Sequence, residues 1–339
     1  MSALYRFIYS KWYPPAPPNT SFAGKTVLVT GANTGLGFEA AKHYLNLDAA
    51  RLIIAVRSLD KGSAAKARLQ QAYPNKKDVI DVLPLDMNSY KSIKEFVDTI
   101  STKYEYLDVA LLNAGISNRL YSTSPEGWEE TLQVNTLSTA LLALLLLPKL
   151  RASRRDQGDV HLVIVSSGLH GGVTGKEISA GSENVLASCN DSEARFAAAG
   201  GGTRQYAISK LLVMFVVKEI AALGTTAGGE LVVLVTACCP GACITDLGRQ
   251  YNRWYEQLAM RLLGPLIART VEEGSRTLVS AAGLGAESQG GYWKNDQLMP
   301  MGGLMASDER RDLQEQVWRE IVDALKSRVP EVEQLARKG

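Results

Sequence analysis

The sequence predicts an α/β fold in which a doubly wound parallel sheet is flanked by helices. The chain has 339 residues, of which 46% are apolar and 21% are charged, so it has enough material for a large globular core. Short apolar segments alternate along it with segments that carry apolar residues at helical spacing. The apolar segments are continuous, as strands are when helices cover both faces of a parallel sheet.

The elements follow from this alternation. The predicted strands, in chain order, are KTVLVT, RLIIAV, VIDVLPL, YLDVALL, DVHLVIVS and ELVVLVT. The predicted helices are GLGFEAAKHYLNL, SAAKARLQQAY, SIKEFVDTI, the stretch around 131–147, SKLLVMFVVKEIAAL and SDERRDLQEQVWREIVDALKSR. The last of these begins with a Ser cap and an early acidic turn, which predicts a terminal helix.

The chain is predicted to form one catalytic domain over residues 25–295. Residues 1–24 form an arm, aromatic at first and then Pro-rich, which either packs on the domain or binds a partner as a PxxP segment. Residues 168–203 are rich in Gly, Ala and Ser, which predicts an irregular insertion. Residues 246–268 carry aromatic and apolar side chains at roughly helical intervals, as a substrate lid or an ordinary packed helix would. Residues 296–339 are predicted to form a C-terminal helical extension.

Charge and cysteine content exclude several classes of protein. The net charge is +2 and no Lys or Arg stripe occurs, so no nucleic-acid partner is expected. The four cysteines do not form the framework of a small secreted domain, so a reduced, cytoplasmic location is expected. Cys238, Cys239 and Cys243 lie close together but lack a nearby His or a second Cys pair, so no metal site is predicted.

No transmembrane segment is predicted. The N-terminal MSALYRFIYSKWYPPAPP lacks the continuous apolar core and the cleavage site of a signal peptide. The most apolar run, at 140–147, is far shorter than the roughly 20 residues that cross a bilayer. In this run and in LLVMFVV, apolar residues occupy more than one face of the predicted helix. This predicts either a homodimer through these helices or their full burial in a large monomer.

A glycine-rich turn, TGANTGLG, lies between the first strand and the first helix. Glycines at such a turn let backbone N–H groups approach a pyrophosphate at the helix N-terminus, although a tight connection alone would also need them. The second strand ends at Arg57, where an Asp or Glu would otherwise accept from a ribose 2′-hydroxyl. A cation there can pair with a 2′-phosphate, with Lys61 as a second contact, so Arg57 favours NADP(H) unless it is a solvated surface residue.

Tyr206 and Lys210, in YAISK, are four residues apart at the start of an amphipathic helix. Both side chains therefore project from one helix face. A free phenol, with a pKa of about 10, is a poor acid or base at neutral pH, and an ammonium beside it lowers that pKa. The spacing predicts an acid/base pair, and a surface Tyr–Lys pair would have the same spacing.

The order of these motifs resembles that of the classical short-chain dehydrogenase/reductase family. TGANTGLG, LLNAG and YAISK are similar to the family's TGxxxGxG, NNAG and YxxxK. The VSS at 165–167, Asn135 and the PG at 240–241 also follow family order, so the agreement covers residues 25 to about 245. AVRSLDKG and SQGGYWKND resemble the retinol-dehydrogenase-like branch, especially fungal members attached to secondary metabolism. The resemblance implies a Rossmann-type fold.

The resemblance also implies a role for each matched residue. Ser167 would polarise the carbonyl oxygen, Tyr206 would donate the proton, and Lys210 would hold the nicotinamide ribose. Asn135 would anchor a water relay. The residues implied to contact the NADP(H) cofactor are Gly31, Asn33, Thr34, Gly35, Leu36, Gly37, Arg57, Lys61, Asp86, Met87, Asn113, Ala114, Gly115, Tyr206, Lys210, Pro240, Gly241 and Thr245. Alternation along a strand points only one of Ser166 and Ser167 toward the cleft.

The predicted function is NADP(H)-dependent reduction of a carbonyl on a bulky hydrophobic ketone to an alcohol, or the reverse reaction. One alternative uses the same cofactor for epimerisation, dehydration or isomerisation of a related metabolite. Another is a catalytically silent NADP(H)-binding protein, which the intact Ser167, Tyr206 and Lys210 disfavour. A serine hydrolase is disfavoured because no G-x-S-x-G elbow occurs.

Overall fold

A single sheet organises the fold, and the predicted α/β architecture is confirmed. The computed structural model describes residues 11–155, 159–190, 193–198, 201–245, 247, 250, 264, 266–307 and 310–337. The strands in this part of the chain are β1 (Thr26–Thr30), β2 (Arg51–Val56), β3 (Ile80–Pro84), β4 (Val109–Leu112), β5 (His161–Val165), β6 (Leu234–Cys238), β7 (Tyr292–Lys294) and β8 (Gln297–Leu298). Their order across the sheet is β3-β2-β1-β4-β5-β6-β7-β8, parallel except for β8.

Helices connect the strands and cover both faces of the sheet. The helices of the described residues are α1 (Gly35–Asn46), α2 (Leu59–Ala72), α3 (Tyr90–Lys103), α4 (Glu130–Ala152), α5 (Val185–Cys189), α6 (Glu193–Ala198), α7 (Gly202–Leu223), α8 (Val271–Ser280), α9 (Arg310–Lys326) and α10 (Val332–Leu335). The strand order reverses between β1 and β4. Open α/β sheets bind their ligands at such a reversal, beyond the carboxyl ends of the strands.

The last strands differ from the sequence prediction. The segment ELVVLVT predicts a strand from Glu230, whereas β6 begins at Leu234 and runs on to Cys238. Residues before Leu234 pair elsewhere, because the N–H groups of Val232 and Val233 both donate to the Gly224 carbonyl at the end of α7. The β7 and β8 strands are absent from the prediction because they are too short to show a period.

The core lies on both faces of the sheet. Along β1, Val27 and Val29 pack toward α1, α2 and α8, whereas Leu28 packs on the other face with α3, α4, α7 and α9. α4 is long and apolar enough to cross a membrane by composition, but most of its apolar stretch is buried inside the fold. α9 packs on α7, and α10 packs on α4. The apolar character of α4 and α7 is thus accounted for within one chain, and the homodimer stays a prediction.

The described part of the N-terminal arm packs on the domain. The Phe22 ring is fully buried and meets the Tyr44 ring edge to face, with 4.8 Å between centroids. The Pro15 carbonyl accepts a hydrogen bond of 3.0 Å from Arg276 of α8. Lys11 forms an ion pair of 3.2 Å with Glu273 of the same helix. The Pro-rich segment therefore contacts its own chain.

The insertion predicted at 168–203 contains short helices, including a 3-10 turn at Gly168–Gly172. Side chains of α7 and α9 help to hold it to the rest of the fold. Glu177 pairs with Arg204 of α7, and Glu320 of α9 accepts hydrogen bonds from the backbone of α5. The predicted lid at 246–268 falls mostly outside the described residues, including its aromatic side chains.

Candidate active site

The glycine-rich turn between β1 and α1 needs glycine for two different reasons, backbone conformation and close packing. Gly31 and Gly35 have φ angles of +66° and +59°, which favour glycine. A Cβ on Gly37 would lie 2.6 Å from both the Asn113 Nδ2 and the Gly31 carbonyl oxygen. Asn113 Nδ2 donates to the Thr30 carbonyl at 2.9 Å, so this amide holds the turn against the end of β4.

The N-terminus of α1 is open to an anion. Its N-cap, Thr34, has an extended backbone, and its side chain accepts no hydrogen bond from the first turn. That turn contains no acidic residue, so the positive end of the helix dipole is not neutralised within it. Asn33 lies half-buried in the turn, and Leu36 packs toward Gly274 of α8. A pyrophosphate would fit this position.

Two cations stand at the carboxyl end of β2. Arg57 follows the last residue of the strand, and Lys61 lies in the first turn of α2. Both are exposed, and neither has an ion pair or hydrogen bond from its side chain within the described ranges. On the neighbouring strand end, Asp86 accepts from the Asn88 backbone at 3.0 Å, and Met87 is buried. The crevice thus offers two free cations where the sequence predicts a 2′-phosphate.

Asn135 forms hydrogen bonds both to the loop that follows β4 and to α7. Its Oδ1 accepts from the Ile116 N–H at 2.9 Å, and its Nδ2 donates to the Ile116 carbonyl and to Ser209 at 2.8 and 3.0 Å. It lies in a π turn at Gln133–Leu137, a helix distortion that occurs frequently at functional sites. A Cβ on Gly115 would lie 3.0 Å from the Asn135 Oδ1, so the backbone passes close to this amide. The Ala114 N–H donates to Thr30 Oγ1 at 2.9 Å.

Ser167, Tyr206 and Lys210 come together beyond β5. Ser167 follows that strand, and its hydroxyl interacts with the Tyr206 phenol. Ser166, the competing residue, is 1% exposed and its hydroxyl has no partner among the described residues. The Lys210 Nζ lies 5.7 Å from the centroid of the Tyr206 ring and donates to the Val165 carbonyl at 2.8 Å. The insertion does not separate the serine from the tyrosine in space.

The electrostatics of this cluster differ from the expectation that Lys210 lowers the pKa of Tyr206. Burial, together with the Cys239 thiol, raises the pKa of the Tyr206 phenol, and the hydrogen bond with Ser167 acts in the opposite direction. Burial also lowers the pKa of Lys210, to about 8. Desolvation, which disfavours the charged form, is the largest cause of the pKa shift in both groups. Tyr206 is therefore a protonated phenol, which suits a proton donor.

Pro240, Gly241 and Thr245 follow β6 at the same end of the sheet. Gly241 has a φ of +81°, and Thr245 Oγ1 accepts from the Leu247 N–H at 3.3 Å. Arg269, only 1% exposed, donates to the Pro240 carbonyl at 3.1 Å and so holds this loop. Arg269 belongs to no sequence motif, and the Pro240 and Tyr13 carbonyls to which it donates are distant in sequence, so only the fold identifies it.

The cysteines of this loop are thiols. All four cysteines of the chain are free, and burial raises the pKa of Cys238 and that of Cys243, the latter to about 12. The Cys239 sulfur accepts from the Gly241 N–H at 3.4 Å. Among the residues that the structure describes, no group of three or more His, Cys, Asp or Glu side chains could hold a metal ion.

The strand order, the glycine turn and the Ser–Tyr–Lys cluster define a Rossmann-type oxidoreductase. A family model for short chain dehydrogenases matches residues 25–180. The Aspergillus flavipes short-chain dehydrogenase/reductase ffsI is 43% identical over 98% of this chain and 95% of its own length, and phmF of Phaeosphaeria nodorum is 43% identical over the same shares. The chain belongs to the short-chain dehydrogenase/reductase family.

Solved structures agree with this fold. An uncharacterised Mycobacterium paratuberculosis protein has a TM-score of 0.65 and 22% identity, and the match covers 92% of this chain and 98% of that one. The Pseudomonas aeruginosa RhlG/NADP active-site complex has a TM-score of 0.57 and 22% identity, over 81% of this chain and 95% of that one. At these identities the likeness concerns the fold.

Proposed function

We propose that the protein is an NADP(H)-dependent ketoreductase, which reduces a carbonyl of a bulky hydrophobic metabolite to an alcohol in the cytoplasm, as part of fungal secondary metabolism. The observation that carries the proposal is that Ser167 and Lys210 both contact Tyr206, which is buried and protonated. The test is a panel of hydrophobic ketones, scored by loss of NADPH absorbance and repeated with NADH. Turnover without consumption of either cofactor would favour an isomerase or epimerase and contradict the proposal.

The cofactor assignment rests on the crevice between β1 and β4. NADPH, when bound, supplies the hydride. The glycine turn would hold the pyrophosphate, Arg57 and Lys61 the 2′-phosphate, and Lys210 the nicotinamide ribose. The remaining residues proposed to line the cofactor are Asn33, Thr34, Leu36, Asp86, Met87, Asn113, Ala114, Gly115, Pro240, Gly241 and Thr245. Arg57 and Lys61, which have no side-chain partner among the described residues, support NADP(H) over NAD(H), because a cation, not a carboxylate, follows the last residue of β2.

Replacing Arg57 with Ala should weaken NADPH selectively. A charge-assisted hydrogen bond contributes about 1.5–3 kcal/mol, so the KM for NADPH should rise by about 10- to 100-fold while the KM for NADH changes little. Steady-state kinetics with both cofactors measures this. Arg51→Ala, which removes a half-buried arginine at the opposite end of β2, is the control. An equal rise of KM for NADPH and NADH would show that Arg57 does not bind the 2′-phosphate.

The chain's own residues would handle one proton. The hydroxyls of Ser167 and Tyr206 would donate to the substrate carbonyl oxygen, and the developing negative charge on that oxygen would be stabilised by these preplaced donors. Tyr206 would then transfer its proton to the alkoxide, since its raised pKa keeps the proton on the phenol until that charge develops. The Lys210 ammonium would stabilise the resulting phenolate.

The pH dependence should follow Lys210. Its lowered pKa of about 8 means that the folded enzyme loses the ammonium as pH rises through that value. We expect kcat/KM for NADPH, which reports the free enzyme, to fall above pH about 8. The free energy of unfolding should instead increase as pH rises from about 8 to about 10.4, the ordinary pKa of lysine. In that range the unfolded chain still binds the proton that the folded chain has lost. In Lys210→Arg the decrease of kcat/KM at alkaline pH should disappear. A wild-type kcat/KM that stays constant up to pH about 10 would contradict the role of the Lys210 ammonium.

The hydrophobic substrate class is supported by apolar side chains at the cleft. Leu169, two residues after Ser167, is 46% exposed, and Ile244, in the loop after β6, is 45% exposed. Both lie on loops beyond the carboxyl ends of the strands, where a ligand would cover them. We assign residues 25–295 to the catalytic domain, with the arm at 1–24 and the extension at 296–339.

A further inference from the structure

Two polar side chains of β7 reach the residue that follows Ser167. A Cβ on Gly168 would lie 3.3 Å from the Lys294 Nζ and 3.7 Å from the Tyr292 hydroxyl. Both side chains lie on one face of the strand, because Trp293 between them turns away and donates to Ser280 of α8 at 2.9 Å. Their polar ends therefore converge beside the proposed carbonyl site.

The Tyr292 hydroxyl is buried beside a thiol. The side chain is only 5% exposed, and its hydroxyl contacts the Cys239 thiol, a weak hydrogen-bonding group, but has no oxygen or nitrogen partner among the described residues. The His170 ring meets the Tyr292 ring edge to face, with 5.1 Å between centroids, and its Nδ1 lies 2.6 Å from the Ser167 carbonyl oxygen. This contact fixes the phenol in place relative to Ser167. Buried polar groups are almost always paired, so this hydroxyl is placed to bind a group that enters the cleft.

Lys294 forms no ion pair with any carboxylate of the described ranges. Two carboxylates of adjoining segments bind other groups: Glu177 of the insertion pairs with Arg204, and Asp296, two residues after Lys294, accepts from the Ala16 N–H of the arm at 2.7 Å. Burial lowers the pKa of His170, as does the Lys294 ammonium, so the imidazole is neutral. Among the described residues beside Ser167, the side chains of His170, Tyr292 and Lys294 thus carry one net positive charge.

We propose that Lys294 and Tyr292 form a subsite for a carboxylate of the substrate, so that the enzyme prefers keto acids over neutral ketones. This inference rests on the proposed ketoreductase function and names its substrate class. The ammonium and the phenol would each donate to the carboxylate. The ammonium has three N–H groups with which to do so.

The test compares medium-chain γ-oxo and δ-oxo fatty acids with their methyl esters, as substrates with NADPH. Wild type should reduce at least one acid with a kcat/KM about tenfold or more above that of its ester. Lys294→Met should remove this preference while leaving the ester rate within about twofold, and Lys294→Arg should retain it. Lys326→Met, an exposed lysine of α9, is the matched control. Equal rates for acids and esters in wild type would overturn the inference and leave the ketoreductase proposal intact.

A second measurement keeps the subsite testable without turnover. Calorimetric titration of the matching hydroxy acid into the NADPH-bound enzyme should give a Kd that rises about tenfold in Lys294→Met. Tyr292→Phe should raise the same Kd several-fold with little change in the thermal midpoint, because the hydroxyl has no oxygen or nitrogen partner among the described residues and the Cys239 thiol is a weak one. If neither acids nor esters are reduced, the ketone panel still tests the proposed function, and this titration decides the subsite. An unchanged Kd in both variants would refute it.

Discussion

Replacing Tyr206 with Phe should lower kcat for ketone reduction by about 10²- to 10⁴-fold, the range that a positioned general acid contributes. The variant removes the proton donor and keeps the ring over which the Lys210 ammonium lies. The cofactor crevice is unchanged, so the Kd for NADPH should stay within about twofold. Single-turnover kinetics, with cofactor binding measured in parallel, separates the chemical step from binding. A variant with near wild-type kcat would remove Tyr206 from the mechanism.

The two neighbouring serines supply a matched pair for the same experiment. Ser167→Ala should lower kcat by about 10- to 100-fold, since one hydrogen-bond donor to the carbonyl oxygen is lost. Ser166→Ala should leave kcat unchanged and cost no stability, because the buried Ser166 hydroxyl has no partner among the described residues. The reverse result would transfer the assignment to Ser166.

Replacing Gly37 with Ala should disable the cofactor crevice. The added Cβ would lie 2.6 Å from the Asn113 amide and from the Gly31 carbonyl, so the amide that holds the turn must move. Overpacking of this kind costs about 1–3 kcal/mol, and we expect the Kd for NADPH to rise by at least about tenfold. Thermal unfolding with and without NADPH measures both effects, because bound cofactor raises the midpoint according to its Kd.

Gly35→Ala is the control for that substitution. Gly35 has a φ of +59°, but no atom lies within 4 Å of a Cβ placed there. The substitution should therefore cost only the backbone strain of about 1–2 kcal/mol, with a smaller effect on NADPH affinity. If both variants lost the cofactor equally, the close approach of Asn113 would not be the reason that Gly37 is required.

Local patterns were enough to predict most of the fold and to propose Tyr206 and Lys210 as a pair. A continuous apolar run such as RLIIAV is a strand in the structure because helices cover both sides of it, and this burial is visible in the residues themselves. Tyr206 and Lys210 could be paired because helical spacing fixes their relation within one turn. Ser167 could be named only through motif order, since its approach to Tyr206 depends on how the 168–203 insertion folds.

Other features depend on tertiary contacts that no local pattern encodes. The pKa of Tyr206 is raised because the phenol is buried, and burial at this position is created by strands and loops distant in sequence. Arg269 is identified only when the fold brings the Pro240 carbonyl to it. Tyr292 and Lys294 lie on a strand of three residues, too short to show alternation, yet their register with β6 carries them to Gly168.

Hydride transfer to a carbonyl carbon is the central claim, and isotopic labelling tests it most directly. A ketone that the enzyme turns over would be incubated with NADPH deuterated at C4 of the nicotinamide, on each face in turn, and the product analysed by mass spectrometry and NMR. We expect stoichiometric oxidation of NADPH and deuterium on the carbinol carbon from one face only. A product formed without deuterium at that carbon, or without net oxidation of NADPH, would contradict this account.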